Sequence, residues 1–113
     1  MAIVSSHTLN ATDGTHAGGI PVTLTGPGGI LFETEMDPGG RLAQEVDLAG
    51  ADPEAVYELV FNIADWWAAQ GHSTGLQDEI VLRFRMPDPD GRYHMPIILS
   101  PNGYSTWSST PTG

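Results

Sequence analysis

The chain has 113 residues, a formal net charge of −10 and no cysteine. This length fits one domain over residues 1–113, and the lack of thiols excludes a disulfide scaffold, a thiolate nucleophile and a cysteine-ligated zinc site. The acidic excess should repel nucleic acid and anionic membranes, and the lack of a long apolar run or signal-peptide pattern predicts a cytoplasmic protein.

Short apolar runs alternate with glycine, proline and aspartate, which is the pattern of an all-β sandwich of antiparallel strands. Seven or eight strands are predicted, at residues 2–9, 20–25, 30–35, 42–48, 56–62, 79–86, 93–100 and 104–108. In the strand EIVLRFRM the apolar side chains alternate with Arg83 and Arg85, so one face should pack inward. The segments DGTHAGG, GPGG, DPGGR and PDPDGR are predicted loops and turns.

One short helix is predicted at residues 64–70, ADWWAAQ. Asp65 falls in its first turn, where a negative charge suits the helix dipole. Gly71 stands where a left-handed C-terminal cap belongs. The two tryptophans of this segment are expected to pack in the core.

The four histidines are the first candidates for chemistry, because imidazole titrates near neutral pH. His16 and His72 lie in glycine-containing loops and are expected to be exposed, without a special role. His7 and His94 each lie inside a predicted strand, where a histidine is more often structural than catalytic. The sequence has no metal-binding histidine spacing, nucleophile elbow or phosphate-binding loop, so residue types alone leave His7 and His94 as weak candidates.

All four basic residues are arginines. In so acidic a chain, an arginine beside histidines is a candidate for binding an anion or a polarised carbonyl. For Arg83, Arg85 and Arg92 we expect pairing with surface carboxylates instead. Arg41 is therefore the arginine that we associate with the histidines.

The last fifth of the chain carries a specific motif, because RYHMPIILSPNGYST resembles the C-terminal signature of the transthyretin-like family, whose enzymes are 5-hydroxyisourate hydrolases. That signature has the form Y-H-V-P-L-L-L-S followed by P-Y-G-Y-S-T. The matching positions are Tyr93, His94, Pro96, Leu99, Ser100, Pro101, Gly103, Tyr104, Ser105 and Thr106.

The resemblance extends through nearly the whole chain. The N-terminal family motif S-x-H-x-L-[DN] is matched by Ser5, His7, Leu9 and Asn10. GTHAGGIPVTL is similar to the family run G-x-P-A-x-x-V-x-V-x-L, and VYELVFNIADWWAAQG is similar to the family's strand and short helix. Gly40 and Arg41 match the family's D-G-R, with Gly39 in place of the aspartate.

The resemblance implies the transthyretin fold, with two four-stranded antiparallel sheets and one short helix. It also implies a homotetramer, a dimer of dimers, with active sites at the interface between the dimers. In the family's hydrolases two histidines and one arginine carry the site, and they map onto His7, His94 and Arg41. The carrier branch lacks this set, so an enzyme acting on a small heterocyclic substrate, without metal or cofactor, is the expected function.

Opening a ring at a carbonyl–nitrogen bond needs an activated water, a stabilised oxyanion and a proton for the leaving nitrogen. Neutral histidine suits the first and third tasks, and arginine suits the second because it does not titrate. We expect His7 and His94 to share the proton transfers, with His7 favoured as the base. The hydroxyls of Ser105 and Thr106 either orient substrate or satisfy the strand backbone.

The chain departs from the hydrolases in two segments that touch the pocket. Where the hydrolases end in Y-R-G-S, this chain has Trp107, Ser108, Ser109 and Thr110, followed by Pro111, Thr112 and Gly113. Where they have S-F-F-P-E, residues 74–79 read TGLQDE. Trp107 joins Ser105 and Thr106 as an expected substrate contact. These departures from the family pattern bear on the substrate rather than on the fold.

Three functions therefore stay open. The first is hydrolysis of 5-hydroxyisourate in purine breakdown. The second is hydrolysis or rearrangement of another heterocycle, such as a lactam, imide or cyclic carbamate, in specialised metabolism, which the altered tail favours. The third is a non-catalytic small-molecule carrier, against which the complete histidine and arginine set argues.

Overall fold

Two β-sheets face each other in the computed structural model, which describes residues 1–72 and 76–110. The strands are β1 (Ala2–Asn10), β2 (Thr15–His16), β3 (Pro21–Gly26), β4 (Gly29–Glu35), β5 (Arg41–Val46), β6 (Val56–Asn62), β7 (Glu79–Arg85), β8 (Arg92–His94), β9 (Ile97–Ser100) and β10 (Gly103–Thr106). The helix α1 spans Ala64–Ala69, between β6 and β7. Within the described ranges, no helix is long and apolar enough to cross a membrane.

The central strand of the first sheet is β1, because it is long enough to pair with two strands along each edge. On one edge it pairs antiparallel with β5 and then with β2. On the other edge it pairs parallel with β8 and then with β9, and β10 closes that side of the sheet. The second sheet is antiparallel and has the order β4-β3-β6-β7.

The predicted β-sandwich is confirmed, with three local differences. The predicted strand 93–100 is divided into β8 and β9, because Pro96 between them has no N–H to give to a ladder. The sheet around β1 is mixed rather than antiparallel, since β1 runs parallel to both of these strands. The predicted loop DGTHAGG contains the short strand β2, which raises the number of described strands to ten.

The core lies between the sheets and follows the alternation of their strands. Every second residue of β1 is buried, including Val4, while Ser5 and His7 lie on the opposite, outer face. The prediction for β7 is confirmed, since Ile80 is buried and Arg83 and Arg85 are exposed. Since neighbouring residues of a strand point to opposite faces, the pattern that fills the core also determines which side chains remain on the outer face.

Two buried hydroxyls on β1 tie this strand to the segments around it. The Ser6 hydroxyl donates to the Met95 carbonyl at 2.7 Å, and the Thr8 hydroxyl donates to the Ala17 carbonyl at 2.6 Å. The first bond joins residues 89 positions apart and the second joins residues 9 positions apart. Both satisfy polar groups that would be costly to bury alone. They hold the residues that directly follow β8 and β2 against β1.

The helix ends as predicted, with Gly71 at a positive φ of 82°. The Gly71 N–H donates to the Ala68 carbonyl and the His72 N–H to the Trp67 carbonyl, which is the Schellman arrangement. Trp67 is fully buried, as expected for the core. His72 is exposed, with its ring edge-on to Trp67.

Two of the three arginines assigned to the surface pair with carboxylates there. Arg83 binds Glu58 at 3.0 Å, and Arg85 lies 3.7 Å from Glu54. Both pairs are exposed, so each contributes little to stability. Arg92 has no ion pair within residues 1–72 and 76–110.

Candidate active site

The outer face of the β1 sheet brings His7, Arg41 and His94 together. His7 on β1 and Arg41 on β5 are direct cross-strand partners, so their side chains leave the sheet on the same face. His94 at the end of β8 is the partner of Ser5, which precedes His7 by one full strand repeat and shares its face. The two histidines are half-buried and Arg41 is exposed.

The tight turn before β5 determines where Arg41 begins its strand. The Asp37 side chain accepts the Arg41 N–H at 2.8 Å, and the Asp37 carbonyl accepts the Gly40 N–H at 2.8 Å. Gly40 has φ of 72° and gives its carbonyl to the Thr8 N–H at 2.7 Å. The turn is therefore bonded directly to β1, one residue beyond His7.

His16 lies against His7, which the sequence did not predict. The Nε2 atom of His7 is 3.0 Å from Nδ1 of His16, and the two rings stack with centroids 5.0 Å apart. This contact arises because β2 pairs with the end of β1, where His16 is the partner of Leu9. His16 is exposed, as expected, but its position beside His7 follows from a pairing that no local pattern indicates.

The surroundings of His7 lower its pKa below the ordinary value. Burial is the largest cause, since it disfavours the charged ring, and the positive charge of Arg41 and the proximity of His16 act in the same direction. The Gly39 backbone carbonyl accepts a hydrogen bond from the ring and opposes them, and His94 makes a smaller lowering contribution. The fold therefore favours the neutral form of His7, which can accept a hydrogen bond or a proton.

His94 is held by Ser5 and by the chain that follows β10. The Ser5 hydroxyl is 2.8 Å from Nδ1 of His94, which restrains the ring and leaves Nε2 as its other polar atom. The His94 N–H donates to the Ser109 hydroxyl at 3.1 Å, and the Ser109 N–H donates to the His94 carbonyl at 2.9 Å. Ser5 was not among the predicted site residues, although it belongs to the quoted N-terminal motif.

The divergent tail places Trp107 at His94. The two rings meet edge to face, with centroids 5.8 Å apart, and the Trp107 side chain is 59% exposed. A cavity of about 140 Å³ borders the same histidine and is also lined by Tyr93, Ser108 and Ser109. The substitution of tryptophan at this position therefore changes the surface beside one of the two strand histidines.

The other two predicted substrate contacts, Ser105 and Thr106, lie on β10. Thr106 donates its hydroxyl to the Pro96 carbonyl at 2.8 Å, which agrees with the backbone interpretation of this residue. Ser105 is exposed on β10 and pairs with Ile98, which lies beyond Leu9 in the sheet. Pro111, Thr112 and Gly113 lie outside the described residues, as does the start of the 74–79 segment.

The arrangement supplies proton acceptors and donors beside a fixed positive charge. In the described part of the chain, no three histidine, aspartate or glutamate side chains come together as a metal site. Imidazoles exchange protons near neutral pH, and the guanidinium stabilises developing negative charge. These are the groups that hydrolysis of a carbonyl–nitrogen bond requires.

Comparisons with known proteins identify relatives of the whole chain. The model of the HIUase/Transthyretin family matches residues 4–108. A 5-hydroxyisourate hydrolase from Pseudomonas aeruginosa is 34% identical, with 95% of this chain and 90% of that protein covered. The structure of Klebsiella pneumoniae 5-hydroxyisourate hydrolase has a TM-score of 0.79 and 27% identity, and the match covers 97% of this chain and 100% of the other.

A transthyretin structure shows the same fold. Transthyretin from Sparus aurata has a TM-score of 0.78 and 22% identity, with 94% of this chain and 95% of that chain covered. The predicted transthyretin-like sandwich is thereby confirmed.

Proposed function

Because this chain belongs to the HIUase/Transthyretin family, we propose that it is a hydrolase that opens a small nitrogen heterocycle at a carbonyl–nitrogen bond, with 5-hydroxyisourate as the substrate. The observation that carries the proposal is the presence of His7, Arg41 and His94 on one outer sheet face. Relatives named for this hydrolysis match the chain over almost its entire length.

The proposed reaction adds water across the ring bond. A histidine base takes a proton from water, the oxygen attacks the carbonyl carbon, and Arg41 stabilises the negative charge that forms on the carbonyl oxygen. The carbon–nitrogen bond then breaks, and His94 gives a proton to the leaving nitrogen. One water is consumed, and the proton that the base takes up balances the proton that His94 gives.

No metal or cofactor takes part in this proposal, since the two imidazoles and the guanidinium supply proton transfer and charge stabilisation between them. Ser105 and Trp107 are the proposed substrate contacts, and Thr106 supports the end of β10 through its bond to Pro96. The cytoplasmic location expected from the sequence belongs to the same proposal, and fractionation of the producing cells tests it.

A homotetramer is part of the proposal, because the site as described lies on an open sheet face. His7 and His94 are half-buried and Arg41 is exposed in the single chain. A second sheet placed over this face would exclude water around the reacting bond, which strengthens the interaction of Arg41 with an oxyanion.

A second candidate is hydrolysis or rearrangement of a different heterocycle by the same three groups. The residues after Trp107 favour it, because Ser108 and Ser109 line the cavity beside the proposed acid, His94, where the hydrolases have arginine and glycine. Under this candidate the proton-transfer groups act in the same way, while the shape of the accepted ring differs.

Freshly prepared 5-hydroxyisourate, followed by ultraviolet absorbance, tests the proposal. We expect the wild-type protein to accelerate its decay, with and without EDTA, and His7→Ala and His94→Ala to lose at least about 100-fold in kcat/KM. A folded protein without acceleration contradicts 5-hydroxyisourate as the substrate. If lactams, imides and cyclic carbamates are also unchanged while a ligand still binds, the chain is a carrier and the proposed hydrolysis is wrong.

A further inference from the structure

The contact between His7 and His16 is not used by the proposed mechanism. Nε2 of His7 and Nδ1 of His16 are 3.0 Å apart, a distance at which one nitrogen carries a hydrogen and the other accepts it. Two imidazoles joined in this way share one hydrogen between their facing nitrogens, so the orientation of each ring restrains the other. The pair is therefore a hydrogen-bonded unit at the edge of the proposed site.

The contact also defines which nitrogen of His16 lies outside the pair. Nδ1 of His16 faces Nε2 of His7, so Nε2 is the nitrogen of His16 that this contact does not use. In the tautomer in which Nδ1 of His16 carries the hydrogen, His7 accepts it at Nε2, and the lone pair of His16 is on its Nε2.

The surroundings of His7 disfavour a positive charge on its ring. The titratable and charged groups that act on His7 from the adjacent strands are Arg41 on β5, His94 on β8 and His16 itself on β2. Arg41 and burial both disfavour a charge on His7, whereas His16 is exposed to solvent.

We propose that His16 is the proton acceptor of this site and that His7 orients it, so that the base is the histidine pair and not His7 alone. This rests on the proposed hydrolysis. Water loses a proton to Nε2 of His16, and its oxygen bonds to the carbonyl carbon. The Nδ1–H of His16 donates to Nε2 of His7 and stabilises the imidazolium. After the carbon–nitrogen bond breaks, the pair returns its proton to solvent, and His94 takes one back to replace the proton that it gave to the nitrogen.

His16→Gln separates proton acceptance from positioning. A glutamine amide can still donate a hydrogen bond to His7 but has no basic nitrogen. We expect kcat to fall by at least about tenfold with KM little changed, since general base catalysis contributes about 10²–10⁴. In His16→Ala, added imidazole should restore part of the lost kcat.

His72→Gln is the matched control, because His72 is also an exposed histidine but lies at the far end of α1. It should retain the wild-type kcat and pH profile. If His16→Gln also retains both, the proposed role of His16 is wrong. Circular dichroism should show all three variants folded, since His16 and His72 are exposed.

An NMR titration of the imidazoles without substrate gives an independent result. We expect the pKa of His7 to rise in His16→Gln, because the proximity of His16 is one of the causes that lower it. Unchanged titration of His7 in that variant contradicts the pairing. If the pKa of His7 shifts as expected but the wild-type protein hydrolyses nothing, the proposed function fails while the paired histidines are supported.

Discussion

Arg41 and His7 face each other across two strands, so the guanidinium acts on the imidazole at short range. Burial is the larger cause of the lowered pKa of His7, and Arg41 is the next. A histidine whose pKa lies below its ordinary value of 6.5 stays neutral at pH values where a free imidazole is partly protonated. In an NMR titration of the imidazoles, His7 should therefore titrate below pH 6.5.

Arg41→Gln tests whether Arg41 stabilises the oxyanion and whether it lowers the pKa of His7. We expect kcat/KM to fall by about 10²–10³, because an oxyanion donor is lost. The pKa of His7 should rise, because one of the groups that lower it is removed. Kinetics as a function of pH and an NMR titration of His7 measure the two effects.

Arg92→Gln is the control for this substitution. Arg92 lies on the same sheet and pairs with Ile3, and it is not among the groups that act on His7. This variant should keep the wild-type profile. An equal change in both variants would mean that net charge, rather than the position of Arg41, determines the pKa of His7.

The turn between β4 and β5 positions Arg41 at the start of its strand. Gly40 has a positive φ, and a Cβ placed there would lie 2.5 Å from the Thr8 carbonyl oxygen. Gly39 has room for a side chain by comparison. A Cβ placed there would lie 3.4 Å from the Asp37 side chain, an ordinary van der Waals distance. The sequence predicted a turn here, but only the approach of this turn to β1 explains why the second glycine has no room for a side chain.

Gly40→Ala should lower the free energy of unfolding by about 2 kcal/mol or more, since a left-handed residue with a side chain costs 1–2 kcal/mol and the contact with Thr8 adds to it. Urea denaturation measures the change. Gly39→Ala should stay within about 0.5 kcal/mol of the wild-type protein. Equal losses in the two variants would contradict the assigned geometry of the turn.

Pro96 lies between β8 and β9 and so places His94 at the end of a strand. Pro96 ends the ladder of β8 directly after His94 and Met95, and β9 resumes it at Ile97. In the interval the Met95 N–H donates to the Ser5 carbonyl and the Met95 carbonyl accepts the Ser6 hydroxyl, so Met95 stays bonded to β1 by a backbone and a side-chain bond. His94 consequently lies at a strand end, where Ser5 and Ser109 hold it from two sides.

At the scale of the whole molecule, the proposed tetramer should be formed through the face that carries His7 and His94. Ile98 lies on this sheet next to Leu9 and Ser105 and is 46% exposed in the single chain. Each chain carries a charge of −10, so the subunits repel one another and salt should favour association.

Light scattering should give a mass of about four times 12.0 kDa at physiological salt, with dissociation increasing as salt is lowered. Ile98→Glu should yield smaller species with reduced kcat, because it places a charge in the proposed interface. Val56→Glu is the control, since Val56 is 44% exposed on the other sheet. A monomeric wild-type protein with full activity would contradict the proposed assembly.

The sequence by itself determined the β-sandwich class, most strand positions within two residues, and the helix with its cap at Gly71. These features follow from side-chain alternation and turn chemistry, which act between residues close together in the chain. Composition and periodicity left His7 and His94 as weak candidates, and only their motifs related them to Arg41.

The tertiary structure decided which side chains meet. The pairing of His16 with His7, the bond from Ser5 to His94 and the position of Trp107 join residues brought together by sheet pairing and by the chain after β10. The parallel register of β1 with β8 likewise links residues 89 positions apart. Such contacts leave no periodic pattern in the sequence, because they depend on how strands pair and not on the propensities of neighbouring residues.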